Sequence, residues 1–137
     1  MWSQMHGNES TTTKSLFDLL RYLQSDKGLL GLLQLSIIPI LNPDGAKSYT
    51  RFNANKVDLN RDAIDLSQVE SRILRKEFDE FSPDYAFNLH DQRTIFGIGA
   101  KPATLSLLAP AFDKERSFND FRTKAAQLAA SVFQGLQ

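Results

Sequence analysis

The sequence has no cysteine, only two histidines and one tryptophan among its 137 residues. Without cysteine, disulfides and thiolate metal sites are excluded, so a bound metal ion would need His, Asp or Glu ligands. No apolar run approaches the roughly 18 residues that a membrane span requires. Residues 1–6 lack the basic start and apolar stretch of a signal peptide. These absences restrict the metal chemistry and leave the compartment open.

The chain has no excess of either charge. Lys and Arg total 16, as do Asp and Glu, so the formal net charge is zero. A balanced charge gives no electrostatic reason to expect nucleic acid or a membrane as partner. Hydrophobic residues make up 42% of the chain, which is enough for the core of one ordinary domain.

Apolar patterns predict strands that alternate with helices. The predicted strands are residues 2–5, 33–41, 84–90 and 104–109. The first predicted helix is capped by Ser10 or a following Thr and has Leu16, Leu19, Leu20 and Leu23 on one face. The second begins at a Ser67–Glu70 capping box and is ended by Ser82-Pro83. The third is capped by Ser117. Strands separated by helices imply right-handed crossovers and a largely parallel sheet with helices on its faces, an α/β fold.

Both histidines follow predicted strands. In such sheets ligands bind beyond the carboxyl ends of the strands, so His6 and His90 are expected on one rim. Glu9 lies three residues after His6, and Gly7 allows a sharp turn between them. Two imidazoles and one carboxylate form a catalytic zinc set that leaves a position for water. The alternative is that residues 6–9 form a surface turn and that His90 is a packed, hydrogen-bonded histidine.

A long irregular segment separates the two histidines. The Asn-Pro-Asp-Gly sequence at residues 42–45 predicts a turn that opens a loop reaching about Asp62. A loop of that length usually has a function. Its arginines, Arg51 and Arg61, suit an oxyanion or a substrate carboxylate, or they pair with nearby aspartates. Asp58 could instead orient a ligand histidine.

Four ordered motifs resemble the zinc carboxypeptidase family, the carboxypeptidase A/B-like metallopeptidases. They are His-Gly-Asn-Glu at residues 6–9, Asn-Pro-Asp-Gly at 42–45, Asp-Leu-Asn-Arg-Asp at 58–62 after Arg51, and a strand-ending Leu-His at 89–90. The match runs from about residue 2 to residue 91. It implies a mixed sheet flanked by helices on both faces, a three-layer α/β/α fold.

The resemblance also implies a role for each matching residue. His6, Glu9 and His90 would hold Zn²⁺, and Asp58 would form a hydrogen bond with the first of these histidines. Arg51 would stabilise the oxyanion. Asn60 and Arg61 would bind the terminal carboxylate of the substrate. The implied reaction is hydrolysis of the C-terminal bond of a peptide, or of a small amide, with a free carboxylate. The resemblance further suggests an exported protein whose leader lies outside this chain.

Two features of the family pattern are not matched. The family uses a late glutamate as general base and a tyrosine over the substrate, but Glu115 is the only glutamate after His90 and no tyrosine follows Tyr85. Only five residues precede His6. We therefore expect residues 1–137 to be a partial catalytic domain, truncated at both ends, that binds zinc with little turnover. Its exposed sheet edges could pair in a homodimer.

Two other functions fit the same motifs. Aspartoacylase- and succinylglutamate desuccinylase-like amidohydrolases share the His-Gly-Asn-Glu and Asp-Leu-Asn-Arg patterns. The turn at 42–45 and the Asn-Ala-Asn at 53–55 favour the peptidase. A non-catalytic zinc-binding module would keep the ligands and lack the base.

Overall fold

The computed structural model describes residues 1–91, 97–98, 100–102, 105–111 and 113–136. The chain divides into two units, Met1–Asp91 and Gln92–Gln137. The first contains β1 (Trp2–Ser3), α1 (Thr11–Ser25), α2 (Lys27–Leu30), α3 (Pro43–Ser48), α4 (Val69–Phe81) and β2 (Asn88–Leu89). The second contains β3 (Gly97–Ile98), β4 (Lys101–Pro102) and α5 (Asp120–Gln134). None of the described helices is long and apolar enough to span a membrane.

Strand β1 lies between two parallel neighbours. On one side it pairs with β2, with Trp2 opposite Asn88 and Ser3 opposite Leu89. On the other side Trp2 forms a parallel bridge with Ile38, and the Ser3 N–H donates to the Ile38 carbonyl at 3.1 Å. The parallel direction agrees with the prediction for these segments, and the complete three-layer fold stays a prediction.

The predicted strand at residues 33–41 is wrong over most of its length, since only Ile38 forms a bridge. Leu33 is 50% exposed and Ile40 is 42% exposed. An apolar run forms a doubly buried strand only where other elements cover both of its faces. The described residues leave these side chains uncovered, so the run has no continuous ladder.

The buried core lies immediately behind the first histidine. Met5, Leu41 and Leu59 form it, and partly buried side chains including Ile38 and Leu74 pack against it. Leu59 is 1% exposed. Because Met5 precedes His6 and Leu59 follows Asp58, packing of this core places both polar side chains at its edge.

Helices α1 and α3 both differ from the sequence prediction at their N-termini. Ser10 precedes α1 but its side chain makes no capping hydrogen bond. The predicted turn at 42–45 is instead the start of α3. Asn42 accepts the Gly45 N–H at 2.9 Å, and Pro43 occupies the first turn. An Asn cap followed by Pro is also a helix-start signal, and the helix reading is the correct one here.

Two further capping predictions are wrong. Gln68, not Ser67, precedes α4, and the Ser67 hydroxyl donates to Asp62 at 2.5 Å. The helix does end directly before Ser82-Pro83, as predicted, with Phe81 as its last residue. In the second unit α5 is capped by Asn119, which accepts the Arg122 N–H at 3.0 Å, instead of by Ser117.

The fourth predicted strand is not present in the described part of its range. Residues 105–109 form no strand, and Thr104 lies outside the described residues. The described part of this unit contains β3 and β4, which pair antiparallel with Gly97 opposite Pro102. A short apolar run does not distinguish a strand from irregular structure by its pattern alone.

We expect Asp62→Asn to lower the free energy of unfolding by about 1–3 kcal/mol, the cost of leaving a buried donor unsatisfied. Asp62 is 4% exposed. Its carboxylate accepts the Ser67 hydroxyl, the Ser67 N–H at 3.0 Å and the Gln68 N–H at 2.9 Å. An amide would turn an NH₂ group toward one of these donors. Urea unfolding measures the change. Asp65→Asn, at an exposed position, is the matched control and should change stability by less than about 0.5 kcal/mol.

The same carboxylate gives a pH dependence. Burial opposes ionisation of Asp62, but the Ser67 hydroxyl and the backbone N–H groups of Gln68 and Ser67 bring its pKa well below the usual aspartate range. A depressed native pKa stabilises the fold fully above the unfolded pKa, about 3.9, and less as the pH falls toward the native value. The stability difference between parent chain and Asp62→Asn should therefore shrink in acid. A difference independent of pH would contradict this.

Candidate metal centre

The loop that contains His6 and Glu9, residues 4–9 and here called the first ligand loop, begins with a kink at Gln4. This residue has φ 51°, in the left-handed region that non-glycine residues rarely adopt. Its buried side chain is held at both ends: the amide nitrogen donates to the Gly7 carbonyl at 2.8 Å, and the amide oxygen accepts the Thr13 hydroxyl at 3.0 Å. These bonds maintain the kink and turn the chain from β1 into residues 5–9.

Helix α3 packs directly against this loop. A Cβ atom on Gly7 would lie 1.9 Å from the carbonyl carbon of Gly45, so only glycine allows this approach. Asn42, which is fully buried, donates from its amide nitrogen to the Met5 carbonyl at 3.2 Å. The loop therefore has one fixed position relative to α3.

His6, Glu9 and His90 converge in this position. The two carboxylate oxygens of Glu9 each contact one ring: Oε1 lies 2.8 Å from Nδ1 of His6, and Oε2 lies 2.8 Å from Nδ1 of His90. The ring centroids are 4.7 Å apart. One ligand atom from each residue falls within 4.8 Å of the others, so the group could hold a metal ion. His6 and Glu9 are buried, and His90 is partly buried.

The donor set has the chemistry of a divalent cation site. Burial opposes ionisation of Glu9, but its contacts with His6 and His90 lower its pKa far below the usual glutamate range, so the carboxylate is charged. Nε2 of His6 faces Asp58 Oδ1 at 3.1 Å. When Nε2 carries the proton, Nδ1 of His6 has a lone pair that could bind a cation held together with Glu9. Two imidazole nitrogens and one carboxylate match the ligand types of catalytic zinc.

Arg51 and Asp58 lie beside the three ligands. The Arg51 Nε donates to Asp58 Oδ2 at 2.9 Å, and its Nη1 lies 3.4 Å from Nδ1 of His6. Burial opposes ionisation of Asp58, but Arg51 and the Asn60 N–H lower its pKa. Arg51 therefore pairs with a neighbouring aspartate, as one reading of the sequence predicts, and also reaches the cluster, as the other requires.

Comparison with known proteins adds an independent observation. The chain is similar to fungal carboxypeptidases. Over 125 residues, 87% of this chain, it is 32% identical to the probable carboxypeptidase 2 of Arthroderma benhamiae and 29% identical to carboxypeptidase 2 of Trichophyton tonsurans. The aligned part is 24% and 23% of those proteins, so the chain spans about a quarter of their length. No protein-family model matches the chain, and no solved structure matches it significantly.

The remaining predicted residues are Asn60 and Arg61. Asn60 is connected to the cluster by Asp58, which contacts His6. The Asn60 N–H donates to Asp58 Oδ1 at 2.9 Å. Arg61 is exposed, and its Nη1 contacts the Asn60 carbonyl at 3.3 Å. Within residues 1–91 the structure records no hydrogen bond from either side chain to the three clustered side chains. Their substrate role stays a prediction.

Sequence reasoning missed two residues that hold the cluster in place, Gln4 and Asp91, and identified Asn42 only as part of the motif at residues 42–45. Gln4 and Asn42 bind the first ligand loop, and Asp91 binds the N-terminus of α1. Asp91 had one local signal, an acidic side chain directly after the strand-ending histidine. Gln4 had no signal that distinguishes it from an ordinary polar residue. The motif at residues 42–45 contains Asn42 but does not reveal its contact with Met5, 37 positions away.

Proposed function

We propose that this chain is the zinc-binding part of a metallocarboxypeptidase-type hydrolase. Its substrate would be a peptide, or a small amide, with a free terminal carboxylate. The observation that carries the proposal is the convergence of His6, Glu9 and His90, whose ligand atoms lie within 4.8 Å of one another. The similarity to proteins named carboxypeptidase 2 supports the class of reaction.

The zinc ligands would be Nδ1 of His6, Nδ1 of His90 and the Glu9 carboxylate. Zinc, when bound, acts as a Lewis acid that polarises a carbonyl and lowers the pKa of water. Asp58 has the position to accept the Nε2 proton of His6 at 3.1 Å, which would set the tautomer and the orientation of that ring.

Arg51 would stabilise the negative charge that develops on the scissile carbonyl oxygen. Asp58 accepts its Nε at 2.9 Å, and Nη1 lies on the His6 side of the guanidinium. A fixed cation beside the ligands stabilises an oxyanion without reorganisation during the reaction. The pair with Asp58 therefore supports this function of Arg51.

Arg61 and Asn60 would bind the terminal carboxylate of the substrate. The Arg61 guanidinium is exposed and, among the described residues, makes one recorded hydrogen bond, to a backbone carbonyl, which leaves donors that could bind a carboxylate bidentately. Asp58 binds the backbone of this segment at Asn60. It would thereby link the position of the carboxylate to that of the first zinc ligand.

We also propose that the chain belongs to a three-layer α/β/α domain of an exported protein. Within residues 1–91, two aspartates that contact the cluster residues are already engaged: Asp58 by Arg51 and His6, and Asp91 by backbone N–H groups. Neither is free to act as general base, so we expect this chain to bind zinc with little turnover. A homodimer through sheet edges remains a prediction.

A binding experiment tests the proposal. Calorimetry would measure the affinity of the zinc-loaded chain for a tetrapeptide with a free C-terminal carboxylate. The same measurement on the C-terminal amide of that peptide gives the comparison. We expect the acid to bind more tightly, and Arg61→Met to weaken its binding by about 10–100-fold, since a hydrogen bond to a charged group contributes about 1.5–3 kcal/mol. Binding of the amide should not change.

The matched control is Arg72→Met, because Arg72 is also exposed but donates to the Leu66 and Ser67 carbonyls. It should leave binding of both peptides unchanged. Equal binding of acid and amide by the parent chain would contradict the proposal. Binding of N-acetylated single amino acids but of no tetrapeptide would favour the aspartoacylase-like alternative.

A further inference from the structure

Asp91 links the third proposed ligand to the helix that follows the first two. Its carboxylate accepts the Thr11 N–H at Oδ2, 3.1 Å, and the Thr12 N–H at Oδ1, 3.2 Å. These are the first two residues of α1. The backbone N–H of Asp91 also donates to Glu9 Oε2 at 3.3 Å. One residue therefore contacts both Glu9 and the start of α1, about 80 positions away in sequence.

The N-terminus of α1 depends on this distant carboxylate. The first N–H groups of a helix have no partner within the helix, and the usual local solution is a side chain at the capping position. Ser10 occupies that position and makes no such bond. An anionic side chain is favourable at this end of a helix. Asp91 supplies it and so holds residues 90–91 against the start of α1.

The same contact restrains His90. Strand β2 ends at Leu89, so the parallel ladder with β1 stops before the histidine. Beyond it, His90 Nδ1 and the Asp91 N–H both contact Glu9, which is itself a proposed ligand. The contacts of the Asp91 carboxylate with α1 do not involve Glu9. They restrain His90 whatever Glu9 binds.

We propose that Asp91 is a positioning residue that holds His90 at the metal site through the N-terminus of α1. The inference rests on the proposed metal site and goes beyond its ligands. Losing the carboxylate would free the segment after Leu89, and zinc affinity would fall although all three ligands are present. Removal of a contact that orients a ligand typically costs 10–100-fold in metal affinity.

The test compares Asp91→Ala and Asp91→Asn with Asp26→Ala and Asp26→Asn. Asp26 is the matched control because its carboxylate also caps a helix, accepting the Gly28 and Leu29 N–H groups at 3.1 and 3.4 Å at the start of α2. Zinc affinity would be measured by chelator competition, and ligand geometry by the visible spectrum of bound Co²⁺. Amide exchange at Thr11 and Thr12 would report the cap in the metal-free chain.

We expect Asp91→Ala to weaken zinc binding by about 10–100-fold, to change the Co²⁺ spectrum and to accelerate exchange at Thr11 and Thr12. Asp91→Asn should have a smaller effect in the same direction, because one acceptor oxygen remains. The Asp26 variants should match the parent chain in affinity and spectrum. If loss of any helix cap were enough to disturb the site, the Asp26 variants would also change the Co²⁺ spectrum.

The outcomes separate this inference from the proposed function. A parent chain that binds no zinc overturns both. A parent chain that binds zinc with the same affinity and spectrum as both Asp91 variants overturns the inference alone. Should Asp91→Ala fail to fold, the comparison of Asp91→Asn with Asp26→Asn decides, and equal affinities reject the positioning role.

Discussion

Replacing Glu9 with glutamine should lower zinc affinity on the order of 10²–10³-fold, since structural zinc sites with four protein ligands bind with about 10–16 kcal/mol in total, or about 2.5–4 kcal/mol for each ligand. The substitution keeps the shape of the side chain, which is 6% exposed, and removes its charge. It also places a neutral amide between two Nδ1 atoms that each lie 2.8 Å from a carboxylate oxygen. Zinc content of the purified chain and chelator competition measure the loss.

The control for this variant is Glu80→Gln. Glu80 is on the surface, and its nearest cation is Lys76 at 3.7 Å. Its loss should leave zinc content and affinity unchanged. If Glu9→Gln retained parental affinity while the Glu80 variant also did, zinc would be bound elsewhere in the chain and the proposed ligand set would be wrong.

Replacing Gly7 with alanine should destabilise the first unit by about 3–5 kcal/mol, in the upper range for single substitutions. The added Cβ would lie 1.9 Å from the Gly45 carbonyl carbon and 2.3 Å from the Ala46 nitrogen. Both are backbone atoms, so no side-chain rotation relieves the clash. Either α3 moves away or residues 5–9 shift, and both displace His6. The free energy of unfolding, measured with urea, and the zinc affinity should therefore both decrease.

Gly28→Ala is the matched control for Gly7→Ala. The nearest atom to a Cβ at Gly28 is Asp26 Oδ1 at 3.3 Å, the end of a side chain. Its stability should change by less than about 1 kcal/mol because alanine is also favoured over glycine within a helix. A Gly7→Ala chain as stable as this control would show that α3 does not pack on the ligand loop.

The two histidines show where prediction from sequence succeeds. Their placement after strands required only a short apolar pattern and the rule that such strand ends share one rim. The structure places β1 before His6 and β2 before His90, in parallel register, although only residues 2–3 of the predicted 2–5 and residues 88–89 of the predicted 84–90 form strand. The roles of Arg51, Asn60 and Arg61 depend on a substrate and stay predictions.

The run at residues 33–41 shows where it fails. Its composition is that of a buried strand, yet only Ile38 pairs and Leu33 is half exposed. The outcome depended on which elements cover each face, and sequence periodicity carries no such information. The Asn-Pro-Asp-Gly segment failed for a different reason. Its residue types suit both a turn and a helix start, and α3 was selected by contacts of Asn42 with Met5 and Gly45.

The sequence by itself determined which ligands the proposed metal site could use, because ligand chemistry belongs to residue types: no cysteine, two histidines and a glutamate three residues after the first of them. Only the tertiary structure decided which atoms meet. It directs Nδ1 of both histidines toward Glu9, packs Gly7 on Gly45 and makes Asp91 the cap of α1. Local propensities act over a few residues. Apart from the contact of His6 with Glu9, these contacts join segments tens of residues apart and exist only once the core of the first unit has packed.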